Sequence, residues 1–288
     1  MGILSGKTLA RHFVRRMQSK RKPTLSTNPQ TRTGTSSRTL WQRQLRLGEL
    51  LSPQSRLFNI KLQIIESEEL FLLPECHRDL SIGKLKNRLE LFVGIPVNFQ
   101  RVQYLDEVDL EDESTLRKHE VVPGGTLTMR IWPEDSWGQL VAAAASGKVK
   151  KLQTVGVTQT STFSTANSRL MTDEKRADWL AHRAFVALFI TAHRGHTRAV
   201  EYLLQNGADP KLKTPLGRTA LHVAVTSGQV ECISILLDSG ARVTDEDNEG
   251  HNAAQLARLW KQRESERRLF RHRWLIRTAR SSQHQNIK

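Results

Sequence analysis

Apolar residues recur with two different periods along the chain, and each period predicts a different kind of element. They alternate with polar residues at Phe58, Ile60, Leu62 and Ile64, which is the pattern of a half-buried β-strand. Residues 68–73 have the same character after a short turn. The two stretches together therefore predict a β-hairpin.

A helix is predicted after this hairpin. Ser81 is suited to cap its first turn, and apolar residues then recur at spacings of three and four until Gly94 and Pro96 end the pattern. Two further strands are predicted at residues 101–105 and 126–132. The order strand, strand, helix, strand, strand predicts a mixed α+β region, and it is the order of a β-grasp fold.

Residues 57–132 resemble ubiquitin, and no gaps are needed to match residues 81–131. The segments that carry the resemblance are Gly94-Ile95-Pro96, Leu110-Glu111-Asp112, Thr115-Leu116 and Thr126-Leu127. The resemblance implies a ubiquitin-like domain. Its role is either to cap the region that follows or to bind a partner through a face of its own.

The departures from ubiquitin concern function. Ubiquitin is conjugated through a free C-terminal diglycine, whereas this strand continues into Pro133, so the domain is predicted to be internal and non-conjugatable. Gln103 and Arg130 occupy the positions of ubiquitin's apolar recognition face, and Glu107 that of its commonest chain-linking lysine. Burying apolar surface against a partner contributes roughly 25 cal/mol per Å² to binding, and polar residues at these positions lose that contribution. Ordinary ubiquitin receptors are therefore expected to bind poorly.

Farther along, the chain repeats itself every 33 residues, since Gly195 recurs as Gly228 and Gly207 recurs as Gly240. The segment Gly217-Arg218-Thr219-Ala220-Leu221-His222-Val223-Ala224 resembles the ankyrin motif G-x-T-P-L-H-x-A, with Ala in place of Pro. A period of about 33 residues with two short helices in each unit is typical of ankyrin repeats. The resemblance implies a helical solenoid.

Each marker residue has a predicted structural role. Thr219 is expected to cap the first helix of its unit, and His222 to form a hydrogen bond to the neighbouring unit. Four glycines are expected to adopt left-handed turns, either between the helices of a unit or after the second helix. They are Gly195, Gly228, Gly207 and Gly240.

The fold is predicted to be α+β, with a ubiquitin-like β-grasp domain followed by a short ankyrin-repeat solenoid. The predicted units are a degenerate repeat at 137–180 with an insertion of about 15 residues, good repeats at 181–213 and 214–246, and a C-terminal cap at 247–276. The residues of the cap that are expected to face inward are Leu256, Leu259, Trp260, Phe270 and Trp274. The link between Trp132 and Trp137 is so short that the two regions are expected to pack together.

The net charge of +15 is concentrated at the two ends of the chain. Residues 1–56 hold 12 Lys and Arg against one acid, and residues 251–288 hold 10 against 2. Residues 1–56 and 277–288 are predicted to be disordered tails. The basic ends could bind nucleic acid or other acidic surfaces, or serve as solvated faces, and residues 2–22 also have the composition of a mitochondrial transit peptide.

No motif of a nucleotide-binding loop, a serine hydrolase or a zinc protease is present, so neither an enzyme nor a cofactor is predicted. His193 and His196 lie around a repeat turn, but no further ligands are near them in sequence, and no metal site is predicted. Cys76 and Cys232 form no metal or redox motif and suit a reducing compartment. No transmembrane segment is predicted, and the protein is expected to be a monomer in the cytoplasm, the nucleus or both.

Taken as a whole, the chain resembles ankyrin-repeat proteins with an N-terminal ubiquitin-like domain. That resemblance implies a protein-interaction scaffold or adaptor whose partner binds at the hairpin tips and the concave helix surface. The tip residues predicted to contact a partner are Asp209, Lys211, Lys213, Arg218, Arg242, Asp245 and Asp247.

Overall fold

The computed structural model describes residues 57–105 and 108–285. The predicted N-terminal tail, including residues 2–22 with the composition of a transit peptide, lies outside the described residues, as does Glu107. Among the described residues, a four-stranded sheet with its helix comes first, and a helical array follows. These parts are named below the sheet region (residues 57–131) and the helical region (residues 137–285).

The sheet region contains strands β1 (Phe58–Ile64), β2 (Glu69–Cys76), β3 (Gln100–Gln103) and β4 (Thr126–Ile131), with helix α1 (Ile82–Val93) between β2 and β3. The strand order is β2-β1-β4-β3. β1 pairs with β4 in parallel, whereas the β1–β2 and β3–β4 pairs are antiparallel. The alternating residues of β1 point into the core as predicted, since Ile60, Leu62 and Ile64 are fully buried.

Helix α1 begins and ends where the sequence predicts. The side-chain oxygen of Ser81 accepts a hydrogen bond from the Lys84 amide, which satisfies one of the free donors of the first turn. Gly94 ends the helix with φ at +64°, and its amide donates to the Glu90 carbonyl. Gly94 therefore turns the chain sharply away from the helix.

The helical region contains eight α-helices among the described residues. They are α2 (Trp137–Ser146), α3 (Val149–Gln153), α4 (Asp173–Arg194), α5 (Thr197–Gln205), α6 (Ala220–Ser227), α7 (Val230–Asp238), α8 (Ala253–Leu259) and α9 (Arg263–Gln285). The predicted left-handed glycines are confirmed, because φ is +77° and +78° at Gly195 and Gly228, and +92° at both Gly207 and Gly240. Within the described part of the chain, no helix is both long enough and apolar enough to cross a membrane.

The predicted insertion is shared between a loop and a helix. Residues 154–172, called here the insertion loop, connect α3 to α4, and α4 is 22 residues long. Thr172 caps α4 by accepting a hydrogen bond from the Lys175 amide, and Asp173 and Glu174 lie in its first turn, where they favour the helix dipole. Part of the insertion therefore lengthens α4 at its N-terminus.

The C-terminal helix corrects two predictions. α9 continues to Gln285, through most of the tail that is predicted to be disordered from residue 277, because no glycine or proline interrupts the chain there. Leu256 is buried as predicted, but Leu259, Phe270 and Trp274 are 41%, 70% and 55% exposed. Phe270 and Trp274 lie on α9, the last helix of the described residues, and no later unit among those residues covers them.

Candidate protein-interaction surfaces

A histidine at the start of α6 ties this helix to the loop that follows α7. The Nδ1 atom of His222 accepts a hydrogen bond from the Thr219 amide at 2.9 Å, so its Nε2 carries the proton and donates to the Asp245 carbonyl at 3.0 Å. The first bond belongs to a capping box at the start of α6. The second ends on Asp245, inside the same 214–246 unit, so the predicted bond from His222 to a neighbouring unit is not observed. Burial lowers the pKa of His222, which favours this neutral form.

The second feature is a joint between the sheet region and the helical region. Helix α1 packs against α6, and Phe92 contacts Trp260 beyond the end of α8. The Phe99 ring packs at a tilt against Trp137, with ring centroids 4.5 Å apart. The sheet region therefore lies against the side formed by the first helices of the units. This packing agrees with the prediction from the short link between the two regions.

Arg194 at the end of α4 is the strongest ionic contact of the joint. Its guanidinium donates two hydrogen bonds to the Glu69 carboxylate, at 2.9 and 2.8 Å, and a third to the Val93 carbonyl at 2.6 Å. It also lies over the ring of Phe71, 5.4 Å from the centroid. A bidentate, stacked arginine fixes both the distance and the orientation of its partner.

His193 lies beside Arg194 and is buried in the same joint. Its Nδ1 accepts from the Arg194 guanidinium at 2.6 Å, so Nε2 donates to the Leu91 carbonyl at 3.2 Å. Burial, and next the positive charge of Arg194, hold the pKa of His193 well below its ordinary value. The ring also lies directly against Gly94, where an added Cβ would be 2.5 Å from the His193 Cβ.

A buried carboxylate holds the other side of α1. Glu90 is fully buried, and its two oxygens accept hydrogen bonds from the Val97 amide at 2.6 Å and the Thr214 hydroxyl at 2.7 Å. The Arg218 guanidinium lies 3.8 Å from it and donates to the Asn87 carbonyl at 2.6 Å. Burial raises the pKa of Glu90, against the effect of these partners.

This arrangement corrects two predicted partner contacts. Arg218 and Asp247 are 2% and 6% exposed, and the Arg218 Nε lies 3.5 Å from an Asp247 oxygen. They form a charged network with Glu90 inside the joint and are not available at the tips. The prediction is wrong because position in a hairpin does not determine which way a side chain points.

The remaining tip residues are accessible. The loops that connect the helix pairs are named finger 1 (residues 206–219) and finger 2 (residues 239–252). The exposed tip residues are Asp209, Lys211, Lys213 and Arg242, and Asp245 is half-buried. The Lys213 ammonium donates to the Glu246 carbonyl at 2.9 Å, which ties the two fingers together. The tips thus form one mixed-charge surface.

The predicted ubiquitin-like face is changed by the structure. Gln103 is only 4% exposed, and its amide donates to Asp109 at 2.8 Å, so it is not presented to a partner. Arg130 is half-buried on β4. Gln103 is buried because the chain after β3 folds back over it, and sequence spacing alone does not show this fold-back.

The histidines considered as metal ligands have other roles. His193 bonds within the joint, and the His196 Nε2 lies 2.8 Å from the Ala145 carbonyl. Elsewhere among the described residues, Asp247, Glu249 and His251 come within 4.8 Å of one another. Arg218 lies 3.6 Å from Glu249 and already supplies the positive charge there, so the arrangement does not favour a cation.

Arg183 is a residue that sequence reasoning missed. It is fully buried, donates two hydrogen bonds to the Val155 carbonyl and one to the Asp135 carbonyl, and lies 4.7 to 4.9 Å from three aromatic rings. Burial lowers its pKa to about 10. Arg183 thereby pins the insertion loop and the link between the regions to α4. An arginine within an apolar helical pattern is the one signal that could have indicated it.

Comparison with known proteins identifies the repeats. The family model described as ankyrin repeats in three copies matches residues 140–247 and residues 188–272. The helical region therefore contains ankyrin repeats, as the 33-residue period predicts. The match begins in α2 and ends within α9, so it also includes the degenerate first unit and part of the last.

Curated relatives match shorter parts of the chain. Over 70 residues the chain is 39% identical to ADP-ribosylation factor GTPase-activating protein AGD4 of Arabidopsis thaliana, covering 24% of this chain and 9% of that protein. It is 38% identical over 56 residues to Protein fem-1 homolog A-like of Mus musculus, covering 19% and 9%. It is 41% identical over 66 residues to Inactive serine/threonine-protein kinase TEX14 of Bos taurus, covering 23% and 4%. The chain thus spans less than a tenth of the length of each of these relatives.

Proposed function

We propose that this chain is a non-enzymatic interaction scaffold or adaptor whose ankyrin repeats bind a protein partner through the tips of fingers 1 and 2. The main support is that the sheet region covers the side of the helical region formed by the first helices of the units, while the tips of the two fingers stay exposed. A partner of mixed charge fits the tips, because the basic residues Lys211, Lys213 and Arg242 lie there together with the acidic Asp209 and Asp245. The proposed compartment is the cytoplasm, the nucleus or both.

We further propose that residues 57–132 form an internal, non-conjugatable ubiquitin-like domain. Its strand order β2-β1-β4-β3, with a parallel central pair and α1 between the two hairpins, supports this assignment. The domain is held to the repeats through Arg194, Glu90 and Arg218, so its proposed role is to cap the first helices. In that role the domain is held in place on the repeats, unlike a mobile domain that binds a receptor.

The test of tip binding is a charge reversal with a matched control. The tip variant combines Lys211→Glu, Lys213→Glu and Arg242→Glu, and the control variant places the same charge changes at exposed Lys150, Lys151 and Arg198. Partners are captured from cell extract with the full chain and identified by mass spectrometry. We expect a discrete partner that the control retains and the tip variant loses by about tenfold or more. Equal capture by both variants would refute tip binding.

A second function, binding of acidic polymers through residues 1–56 and 251–288, has support only in its C-terminal part. α9 presents exposed arginines, whereas residues 1–56 lie outside the described residues. Contacts of this kind weaken steeply as salt rises, because they release counterions. This function would be favoured over the first if the full chain retains nucleic acid at low salt and releases it at high salt. The same result requires that no protein partner stays bound at high salt.

A further inference from the structure

The middle of α9 exposes large apolar side chains. Phe270, Trp274, Leu275 and Ile276 are 70%, 55%, 52% and 43% exposed, all within seven residues. The part of the helix before Phe270 is anchored, since Leu269 is 1% exposed and packs on the preceding unit. Contiguous exposed apolar surface on a folded protein marks an interaction site more often than isolated residues do.

The apolar side chains surround the helix. Taking about 100° per residue, Trp274 lies about 40° from Phe270, Leu275 about 140° and Ile276 about 240°. They therefore point to three sides. A helix that lies in a membrane surface separates one apolar face from one polar face, and this helix does not. A ligand that covers all four side chains must enclose the helix.

The charge of the same segment defines the chemistry of the ligand. Residues 267–280 contain six arginines and no acidic residue. The two acids of the first turn are already paired, Glu264 with Arg267 at 2.8 Å and Glu266 with Arg258 at 2.6 Å. A complementary partner must supply carboxylates or phosphates. Phosphates alone would leave the aliphatic side chains in water, so an acidic protein fits better than a nucleic acid.

We propose that residues 270–280 of α9 are a helical ligand for an acidic protein with an apolar, methionine-lined groove that opens on calcium binding. Such grooves take a helix by its bulky apolar side chains, and flexible methionines adapt to anchors on several sides. Acidic residues around the groove pair with the arginines. This site is separate from the finger tips, so it stands independently of partner binding there.

The probe is calcium-loaded calmodulin, whose binding to the full chain is measured by isothermal titration calorimetry. We expect a Kd of about 1 µM or lower with calcium. Affinity should fall about tenfold or more on chelation, in the double variant Phe270→Ala with Trp274→Ala, and in Arg271→Glu with Arg273→Glu. The matched control substitutes Ala for two other exposed apolar residues, Leu105 and Leu170, and should bind normally.

Because all the changed side chains are exposed, circular dichroism should show unaltered helix content in every variant. Absence of binding would overturn the proposal, as would affinity that is unchanged by chelation or by loss of the two aromatic residues. Stronger α9-dependent binding to anionic phospholipid vesicles, or to single-stranded RNA, would also overturn it. Either result would replace the acidic groove with a lipid or a nucleic acid as the ligand.

Discussion

Gly94 lies where the sheet region and the helical region come closest, which makes Gly94→Ala a sharp test of the joint. A Cβ at this position would lie 2.5 Å from the Cβ of His193 and 2.9 Å from its Cδ2. Ordinary carbon contacts are about 3.5–4.0 Å long, so one of the two regions must move by about 1 Å. His193 cannot turn away freely, because both of its ring nitrogens are engaged within the joint.

The cost of Gly94→Ala has two parts. Placing alanine at φ of +64° costs about 1–2 kcal/mol, partly offset by about 0.4–1 kcal/mol from the stiffer unfolded chain. Overpacking against the buried ring adds about 1–3 kcal/mol. Gly124 separates these parts, because its φ is +79° and nothing lies within 4 Å of an added Cβ. We therefore expect Gly94→Ala to cost about 1–3 kcal/mol more than Gly124→Ala.

Two measurements read out this difference. Urea unfolding gives the free energy of each variant, and amide hydrogen exchange shows where protection is lost. In Gly94→Ala, faster exchange is expected on both sides of the joint, at the end of α1 and in finger 1 around Thr214. In Gly124→Ala it should stay local. Equal destabilisation by the two variants, with finger 1 unchanged, would show that the two regions do not pack as described.

Three further changes test the burial of His193, the hold of Arg183 on the insertion loop, and the burial of Arg218 in finger 1. Below about pH 6.5 the free energy of unfolding should fall by up to about 1.4 kcal/mol per pH unit on account of His193, because the unfolded chain takes up a proton that the folded state excludes. Urea titrations at about pH 7 and pH 5.5 should show a smaller difference in His193→Gln. Arg183→Lys should cost about 2–4 kcal/mol and make the insertion loop sensitive to protease, whereas exposed Arg169→Lys should do neither. Arg218→Met should lower the free energy of unfolding by about 3 kcal/mol, because it leaves the buried Glu90 carboxylate without its cation. The exposed control Arg242→Met should lower it by less than about 0.5 kcal/mol. Thermal unfolding of both variants measures the difference.

Each of these outcomes can fail in a distinct way. An equal pH dependence in wild type and His193→Gln would mean that other groups carry the acid sensitivity. Protease resistance of Arg183→Lys would mean that the aromatic rings hold the insertion loop without the guanidinium. Similar stabilities of Arg218→Met and Arg242→Met would place Arg218 in solvent, as the sequence alone suggests.

The elements that the sequence predicted well are those set by local chemistry. Ser81 and Gly94 bound α1 because capping and a left-handed turn depend on residues a few positions away. The capping box of Thr219 and His222 is predictable for the same reason, because the two residues are only three positions apart. The repeat period is equally legible, because each unit must bury the same face against the next.

The short link predicts that the two regions pack together, but the contacts of the joint could not be predicted, because they pair residues that are far apart in sequence. Arg194 and Glu69 are 125 positions apart, and Thr214 and Glu90 are 124 apart. A lone glutamate in α1 has no pattern that distinguishes a solvated side chain from a buried one. Its burial becomes evident only when Arg218 and Thr214 are placed beside it, and that placement depends on how two regions dock.

The exposed aromatic residues of α9 illustrate a different limit. Apolar residues at helical spacing indicate that a face can be buried, but they do not show that anything is present to cover it. In an inner unit the next helix pair would cover Phe270 and Trp274. In the last helix of this array, no further unit follows among the described residues, so the same pattern leaves both side chains in solvent.

The placement of the joint also connects it to the finger tips. Thr214, which bonds Glu90 in the joint, directly follows Lys213, which lies on the exposed tip of finger 1. A partner that displaces this finger on binding must also strain the bond between Thr214 and Glu90. Linkage is reciprocal, so loosening the joint must then change the affinity at the tips by the same factor. Gly94→Ala, which touches no tip residue, is therefore also the variant in which partner affinity reveals whether the cap and the tips act as one unit.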